Sequence, residues 1–585
     1  MRILGLVGAT HDSGLAILDD GRIELVLEEE RFDREKRTKA FPRRAMIAAL
    51  GEGAERLDAI DVITTPWDVA RLRRSFMGAV LRRFPLSLAF LSERSHTPQR
   101  NEIVLLNAYL ERKLRRLAGE RRLPPIVNVG HHDSHAATFF VSPFEEATVL
   151  VMDGFGDDAA TSVYTGAGNR LTRHWHTDIF NSLGMVYTIV TEFLGFGGFS
   201  DEGKVMALAA YGDQSLVQRF RDVVRLEPDG RYQVNMSYFS FDAFGELRPF
   251  KRKFLDAFGP PRRHGAEITD RHRALAAALQ RVTEETILHV LRSLERRFPS
   301  RNLVLSGGVA LNCVANARIL ADTGYERVWV PPCASDTGAP LGSALWHHHQ
   351  TLGQPRNGEL EHAFYGLAYT DAEITAALQA AGLAGERMEE GALIERAARD
   401  LADGRIVGWF QGRFEMGPRA LGNRSILADP RRESMKDVIN ARIKHREPFR
   451  PFAPAVLVER APELFEIAQP DPFMTLAPRV RPEKRHLIPA AVHVDGTGRI
   501  QTVERSANPR YYGVIEAFGR LTGVPVLLNT SFNRQEPIVA SPAEAISCFL
   551  RTDMDVLVLG DYYVTDRNLA AVEMARTSFS PRRGP

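Results

Sequence analysis

The sequence predicts a mixed α/β protein of at least two domains, on three observations. Its 585 residues exceed what one hydrophobic core usually holds. Apolar runs of strand length, several ending in Gly/Asp turns, alternate with longer stretches of helical periodicity. A polar Gly/Pro stretch at 351–359 separates two such regions, so two or three packing units are expected.

Ile3 to Val7 reads as a strand, 8–14 as a tight turn and Leu15 to Leu18 as a second strand. Asp19-Asp20-Gly21 turns the chain into a third over Ile23 to Leu27. Strands this close predict a meander at a sheet edge, not a βαβ unit. Residues 43–61 and 69–123 read as mainly helical with an Arg-rich face. Ile126 to Val129 is a buried-type strand, and Ala147 to Met152 another. The latter ends in Asp153-Gly154-Phe155-Gly156-Asp157 before the chain returns over 160–164, which echoes the first strand-turn-strand without a sequence repeat. Residues 227–263 lack periodicity and read as irregular or inserted. A long helix over about 271–297 leads to strand Leu303 to Leu305, the Ser306-Gly307-Gly308 turn and a helix over 311–323. Strand Val328 to Val330 follows, and Asp336-Thr337-Gly338 caps a helix from Ala339. Beyond the linker come helix 389–402, strand Ile406 to Phe410, a Gly/Arg segment at 412–424, helix 432–443 and a strand-rich stretch at 490–564. The last fifteen or so residues read as frayed.

With 44% hydrophobic and 25% charged residues the composition is that of a soluble globular protein. The 75 basic and 73 acidic residues nearly cancel, which gives no warrant for nucleic-acid binding. Three widely spaced cysteines cannot form a disulfide framework, so a reducing, cytoplasmic setting is expected. His11 and Asp12 interrupt the N-terminus before a signal-length apolar core forms. Arg71, Arg73, Arg74, Arg82 and Arg83 break the most membrane-like stretch, 69–91, which reads as an amphipathic surface or inter-subunit helix.

Three constellations carry chemistry. In His131-His132-Asp133-Ser134-His135, a helix starting after strand 126–129 puts His131 and His135 one turn apart, so both can reach one metal ion. His132 faces elsewhere, as a substrate or phosphate contact. The turns at Gly8 to Gly14, Asp153 to Asp157 and Ser306 to Gly308 each follow an apolar strand and can offer N–H groups to phosphate. None matches a Walker or Rossmann pattern, and each alone reads as a tight hairpin, but three in one domain suggest a nucleotide cleft of a different type, with Asp153 and Asp336 at strand or helix edges as natural metal or water ligands. Arg413, Arg419, Arg424, Lys444, Arg446 and Arg450 are interleaved with glycines and phenylalanines, unlike a freely hydrated charge run, and suit phosphate or carboxylate. Asn529-Thr530-Ser531-Phe532-Asn533 adds neutral hydrogen-bonding groups at a strand end.

These residues carry a family resemblance. His11-Asp12-Ser13, Gly130 to Ala136, Asp153 to Asp157, Asp201 to Met206, Ser306 to Asn312, Gly412-Arg413 with Gly417 to Ile426, Lys444 to Glu447 and Leu528 to Asn533 are similar to the motifs of NodU/CmcH carbamoyltransferases, almost end to end. That family includes nodulation-factor, cephamycin, novobiocin and tobramycin O-carbamoyltransferases. The resemblance implies a Kae1-like domain of the actin/Hsp70/sugar-kinase (ASKHA) type over 1–350, a connecting segment over 351–385, and a YrdC-like α/β domain over 386–578. It further implies conversion of carbamoyl phosphate and ATP to carbamoyladenylate in the latter, and transfer to a small-molecule hydroxyl in the former. By the same resemblance His131, His135 and Asp336 fall at metal positions, for Fe(II) in the first instance, with Mg also suited to ATP. His11 falls at the catalytic position. Gly8, Asp12, Lys39, His132, Asp153, Gly154, Ser306, Gly307, Gly308 and Asn312 fall on the adenylate side. Arg419, Arg424, Lys444, Arg446, Arg450, Arg499 and Asn529 fall at the carbamoyl phosphate and ATP site. Arg534-Gln535-Glu536-Pro537 departs from the glycine that many members carry before Glu-Pro, which puts that loop's shape in doubt.

A tRNA-carbamoylating factor is the rival reading, with the Arg-rich 71–122 segment as an RNA surface. Fusion of both domains and the full motif set favour a small-molecule acceptor, no nucleic acid and no membrane, and a homodimer is compatible. The acceptor, sugar or otherwise, is not specified.

Overall fold

The computed structural model describes residues 1–82, 84–87, 103, 105–244 and 248–567. The chain divides into two compact units, Met1–Asp33 with Arg37–Leu360, and Arg34–Lys36 with Glu361–Pro585. The expected frayed terminus and the segment 88–91 lie outside the described residues. Residues 69–82 are helical (Val69–Arg82), and among the described residues no helix is long and apolar enough to cross a membrane.

The first unit holds two five-stranded sheets. In the first, the order is Arg22–Glu28, Gly14–Asp19, Arg2–Val7, Val62–Thr65, Ile126–Asn128. The leading three strands form the expected antiparallel meander, and the other two extend it in parallel. In the second sheet the order Arg170–Thr177, Thr161–Ala167, Glu146–Met152, Asn302–Ser306, Arg327–Trp329 repeats the plan, meander first and parallel strands after. The echo visible in sequence is thus a repeated topology. A short helix follows the fifth strand of each sheet: His131–Ala136 in the first and Ala339–Leu345 in the second. The two helices pack closely because Gly342 leaves room for the Ser134 carbonyl, which a Cβ would meet at 2.0 Å. The long helix runs Asp270–Arg297, closed at its start by a Thr269/His272 capping box. Residues 227–263, expected to be irregular, contain short strand Tyr232–Val234 and helices Phe241–Phe244 and Arg252–Phe258, joined by a buried phenylalanine cluster.

The second unit is built on an eight-stranded mixed sheet, in the order Glu386–Arg387, Tyr562–Val564, Val556–Leu559, Val407–Phe410, Arg424–Ala428, Val526–Ser531, Ala453–Leu457, Gln501–Val503. Side chains alternate across it. Val556 and Val558 join Leu393, Leu401, Ile515 and Phe518 in one core, while Leu557 and Leu559 join Ile374, Ile546 and Phe549 in another. Helices Glu390–Ala402 and Pro509–Thr522 therefore cover one face, and Asp371–Ala380 and Pro542–Arg551 the other. Helix Asp371–Ala380, started by a Thr370/Glu373 capping box, falls within the segment expected to be a connector.

Candidate functional site

In the first unit, residues from both sheets converge at the strand ends. The first strand of one sheet leads to His11 and Asp12, and its fifth to His131 and His135. The corresponding strands of the other lead to Asp153 and Asp336. The ligand atoms of His131, His135, Asp153 and Asp336 lie within 4.8 Å of one another, and all four residues are buried. His131 Nε2 is 3.2 Å from His135 Nε2, 3.2 Å from Asp153 Oδ2 and 3.4 Å from Asp336 Oδ1. Donors bound at about 2.1 Å in a tetrahedron sit about 3.4 Å apart, so the set fits a divalent ion. His131 Nδ1 lies 3.2 Å from the Pro66 carbonyl, a bond in which Nδ1–H donates and Nε2 keeps its lone pair for a metal. Its ring stacks on Trp67 at 4.2 Å.

The two carboxylates dominate the electrostatics around the histidines. Burial opposes protonation of His131, but the Asp336 and Asp153 carboxylates outweigh it and hold its pKa well above the ordinary range. Burial would raise Asp336, yet His131 and His11 keep it well below the usual carboxylate range. Asp157 anchors the histidine helix by accepting the His131 N–H at 2.6 Å, and burial pushes its carboxyl up to about 7.

His11, 29% exposed, places Nδ1 2.9 Å from Asp12 Oδ2 and 3.6 Å from Asp336 Oδ2. Gly8 lies in the turn before it, against Pro42 and Phe41, and Gly154 faces Phe199, whose ring is 5.7 Å from that of His11. Asp153 serves two groups. Its Oδ2 faces His131, while its Oδ1 accepts the Gly308 N–H at 2.9 Å and ties the Ser306-Gly307-Gly308 turn to the cluster. Gly307 needs its positive φ of 90°, since a Cβ would meet the Met152 carbonyl at 2.3 Å. Asn312 caps helix Cys313–Asp322 and pairs with Gln280.

His132 turns away from the His131/His135 pair to Ser162 Oγ at 2.9 Å, in a buried pocket that depresses its pKa well below the ordinary value. One helix residue is a rotation of about 100°, which carries its ring to the other side. Lys39 is half-buried, and Arg37, which the sequence does not single out, reaches His11 and Asp12.

In the second unit, Lys444 is 2% exposed and its ammonium donates to the Ser531 carbonyl and to Asn533 Oδ1. Burial and Arg446 hold its pKa well below the usual value. Arg446 donates to Asn440 Oδ1 at 2.7 Å and lies over Phe452; burial, then Arg450 and Arg499, bring its pKa down to about 9. A bound anion would relieve cations that press on each other this way. Asn529 Nδ2 donates to the Ala420 carbonyl and Gln501 Oε1, fixing the loop that carries half-buried Arg419. Arg424 is placed differently from the other basic residues. It is fully buried, donates to the carbonyls of Gln411, Gly412 and Asn423, and stacks 3.6 Å from the Phe410 ring centre. It pins the Gly/Arg loop and presents no open fork. The loop amides are also spoken for, since buried Glu415 Oε1 accepts the N–H groups of Leu421, Asn423 and Arg424.

Comparison with known proteins identifies the family. Residues 2–345 match the model described as the carbamoyltransferase N-terminus, and residues 398–566 that of the carbamoyltransferase C-terminus. The chain is 40% identical over 593 residues to the uncharacterized protein sll1178 of Synechocystis sp., covering 96% of each. It is 38% identical over 590 residues to nodulation protein NolNO of Sinorhizobium fredii, covering 97% of this chain and 81% of the relative. Among solved structures, HypF of T. kodakarensis aligns at 13% identity with a TM-score of 0.30, over 60% of this chain and 48% of HypF, too loose a match to build on. By both family models, the chain belongs to the carbamoyltransferases and is an enzyme that transfers a carbamoyl group.

Proposed function

We propose that this carbamoyltransferase works in two steps, carbamoyladenylate formation from carbamoyl phosphate and ATP in the second unit and transfer to a small-molecule hydroxyl in the first. The observation that carries the reading is the four-donor cluster with His11 beside it, 3.6 Å from Asp336. On this reading residues 1–350 are a Kae1-like domain of the ASKHA type and 386–578 a YrdC-like domain, in a cytoplasmic enzyme.

Carbamate becomes a useful electrophile only when its oxygen is joined to a good leaving group, and AMP is one. Arg419, Lys444, Arg446, Arg450, Arg499 and Asn529 hold the carbamoyl phosphate and nucleotide anions. Carbamoyl phosphate loses phosphate to water, and the carbamate oxygen then attacks the α-phosphorus of ATP and expels pyrophosphate. In the first unit, Gly8, Gly154, the Ser306 turn and the capped Asn312 line the adenylate side. A divalent ion held by His131, His135, Asp153 and Asp336, Fe(II) in our assignment, would polarise the carbamoyl oxygen. With Nδ1–H on Asp12, His11 has its Nε2 lone pair free to take the proton of the attacking hydroxyl.

The test follows both half-reactions in purified enzyme. Wild type should exchange pyrophosphate into ATP only with carbamoyl phosphate present, and should add the mass of one carbamoyl group to a hydroxylated acceptor. His11→Asn should keep the exchange and lose transfer by about 10²–10⁴-fold. Equal effects on both, or on neither, would remove His11 from the transfer step.

A further inference from the structure

We propose that Arg37 is a positioning residue for transfer, holding the His11 ring and the Asp12 carboxylate as one unit and governing which ring nitrogen carries the hydrogen. The inference rests on the transfer role proposed above for His11.

Three atoms form a triangle with sides near 3 Å. Arg37 Nη2 is 2.9 Å from Asp12 Oδ2 and 3.0 Å from His11 Nδ1, and Nδ1 is 2.9 Å from the same carboxylate oxygen. Nη2 carries two hydrogens, so it can serve the carboxylate and the ring together. Nδ1 has a single in-plane position. It donates its own hydrogen to Asp12 or accepts one from Arg37, never both. In the first arrangement Nε2 has the lone pair that a base needs. In the second Nε2–H is a donor, suited to holding an acceptor oxygen before reaction. The Arg37–Asp12 bond is common to both, so the ring changes state without the carboxylate moving.

The surroundings hold Arg37 in place for this. Its backbone sits in the left-handed region at φ 54°, a conformation that non-glycine residues keep where neighbours over-determine it. Those neighbours are Glu30, whose Oε2 accepts the Arg37 N–H at 2.8 Å, and Thr38, whose carbonyl accepts the Ser13 N–H at 3.2 Å. The loop is thereby tied to the turn that bears His11. Phe199 lies 6.0 Å from the guanidinium and 5.7 Å from the imidazole, closing both from one side. A lysine could meet Asp12, but it lacks the planar fork that spans two acceptors at fixed spacing.

Two measurements on Arg37→Ala and Arg37→Lys test the proposal. One is the transfer kcat and KM, using whichever of a panel of hydroxylated sugars the wild-type enzyme carbamoylates. The other is the ring ¹⁵N shifts of His11 in histidine-labelled protein, assigned by difference against His11→Asn. Arg37→Ala should lower kcat about 10–100-fold, the range for losing a group that orients a functional side chain, with little change in KM. Its His11 shifts should lose the Nε2–H contribution that Arg37 supports, since Nδ1 then has Asp12 alone of the two partners, while the fall in kcat reports a ring and carboxylate no longer held as one unit; pyrophosphate exchange should persist. Arg37→Lys should fall between. Wild-type kcat in both variants overturns the proposal, as do unchanged His11 shifts, or exchange lost together with transfer. A failure of the underlying reading shows separately, as wild-type enzyme that exchanges pyrophosphate but carbamoylates no hydroxyl.

Discussion

The two units carry clusters of opposite character. In the first, buried carboxylates and imidazoles attract one another, and Asp153 and Asp336 bring a negative charge that a cation would balance. In the second, Lys444, Arg446, Arg450 and Arg499 repel one another, and burial adds to the cost of their charge. A cation would relieve the first and an anion the second. The difference teaches that one chain keeps two opposite electrostatic environments, each within its own unit.

Removing one side of that contrast should produce the largest effect. His131→Ala or His135→Ala deletes a donor from the four, and transfer should fall below detection while pyrophosphate exchange continues. Metal content by mass spectrometry should fall in parallel. Full transfer with unchanged metal would break the comparison on the first unit's side. Arg450→Ala tests the other side with a smaller loss, on the order of 10²-fold, in exchange and transfer together. Exchange at the wild-type rate would show that the mutually repelling cations bind nothing of catalytic value.

The sequence made the histidine pair legible because four-residue spacing on a helix puts both rings on one face, as the helix His131–Ala136 does. Asp153 and Asp336 were legible as metal or water ligands from their places at strand or helix edges, but that Asp336 joins the histidines came through resemblance, since it is far away in the chain and reaches the cluster through the second sheet. The shared plan of the two sheets was legible only as an echo, because strand order is conserved where side chains are not. Arg37 was hidden in Arg34-Glu35-Lys36-Arg37-Thr38-Lys39, a run that looks like solvated charge until the loop folds back to Ser13. The stretch at 490–564 was read as strand-rich, yet helices Pro509–Thr522 and Pro542–Arg551 alternate with its strands. Their starts were written in the sequence. Asn508-Pro509 is a cap followed by proline, and Ser541-Pro542-Ala543-Glu544 is a capping box, but the apolar runs beside them outweighed the caps in the reading.

The smallest expected effect sharpens the contrast within the histidines of the first unit. His131 is held protonatable by carboxylates, whereas His349 has no such partner to offset its burial. It is 1% exposed, its Nδ1–H donates to the Gln354 carbonyl at 3.1 Å, and its ring lies 5.0 Å from Phe140. Burial brings its pKa down to about 4, with His348 and Arg356 adding to the effect. An unfolded histidine titrates near 6.5, so the unfolded chain binds this proton more tightly than the folded one. The stability gained from neutral His349 is therefore complete above about pH 6.5 and is lost as pH falls towards 4, by at most roughly 3 kcal/mol. His349→Phe should cost about 1 kcal/mol at pH 7, through the lost bond to Gln354. It should also flatten the fall in stability between pH 6.5 and 4 relative to wild type. Urea unfolding of both proteins at pH 7, 5.5 and 4.5 reads the two slopes. Parallel slopes would mean that burial alone does not keep His349 neutral, and the distinction between the two kinds of histidine would fail.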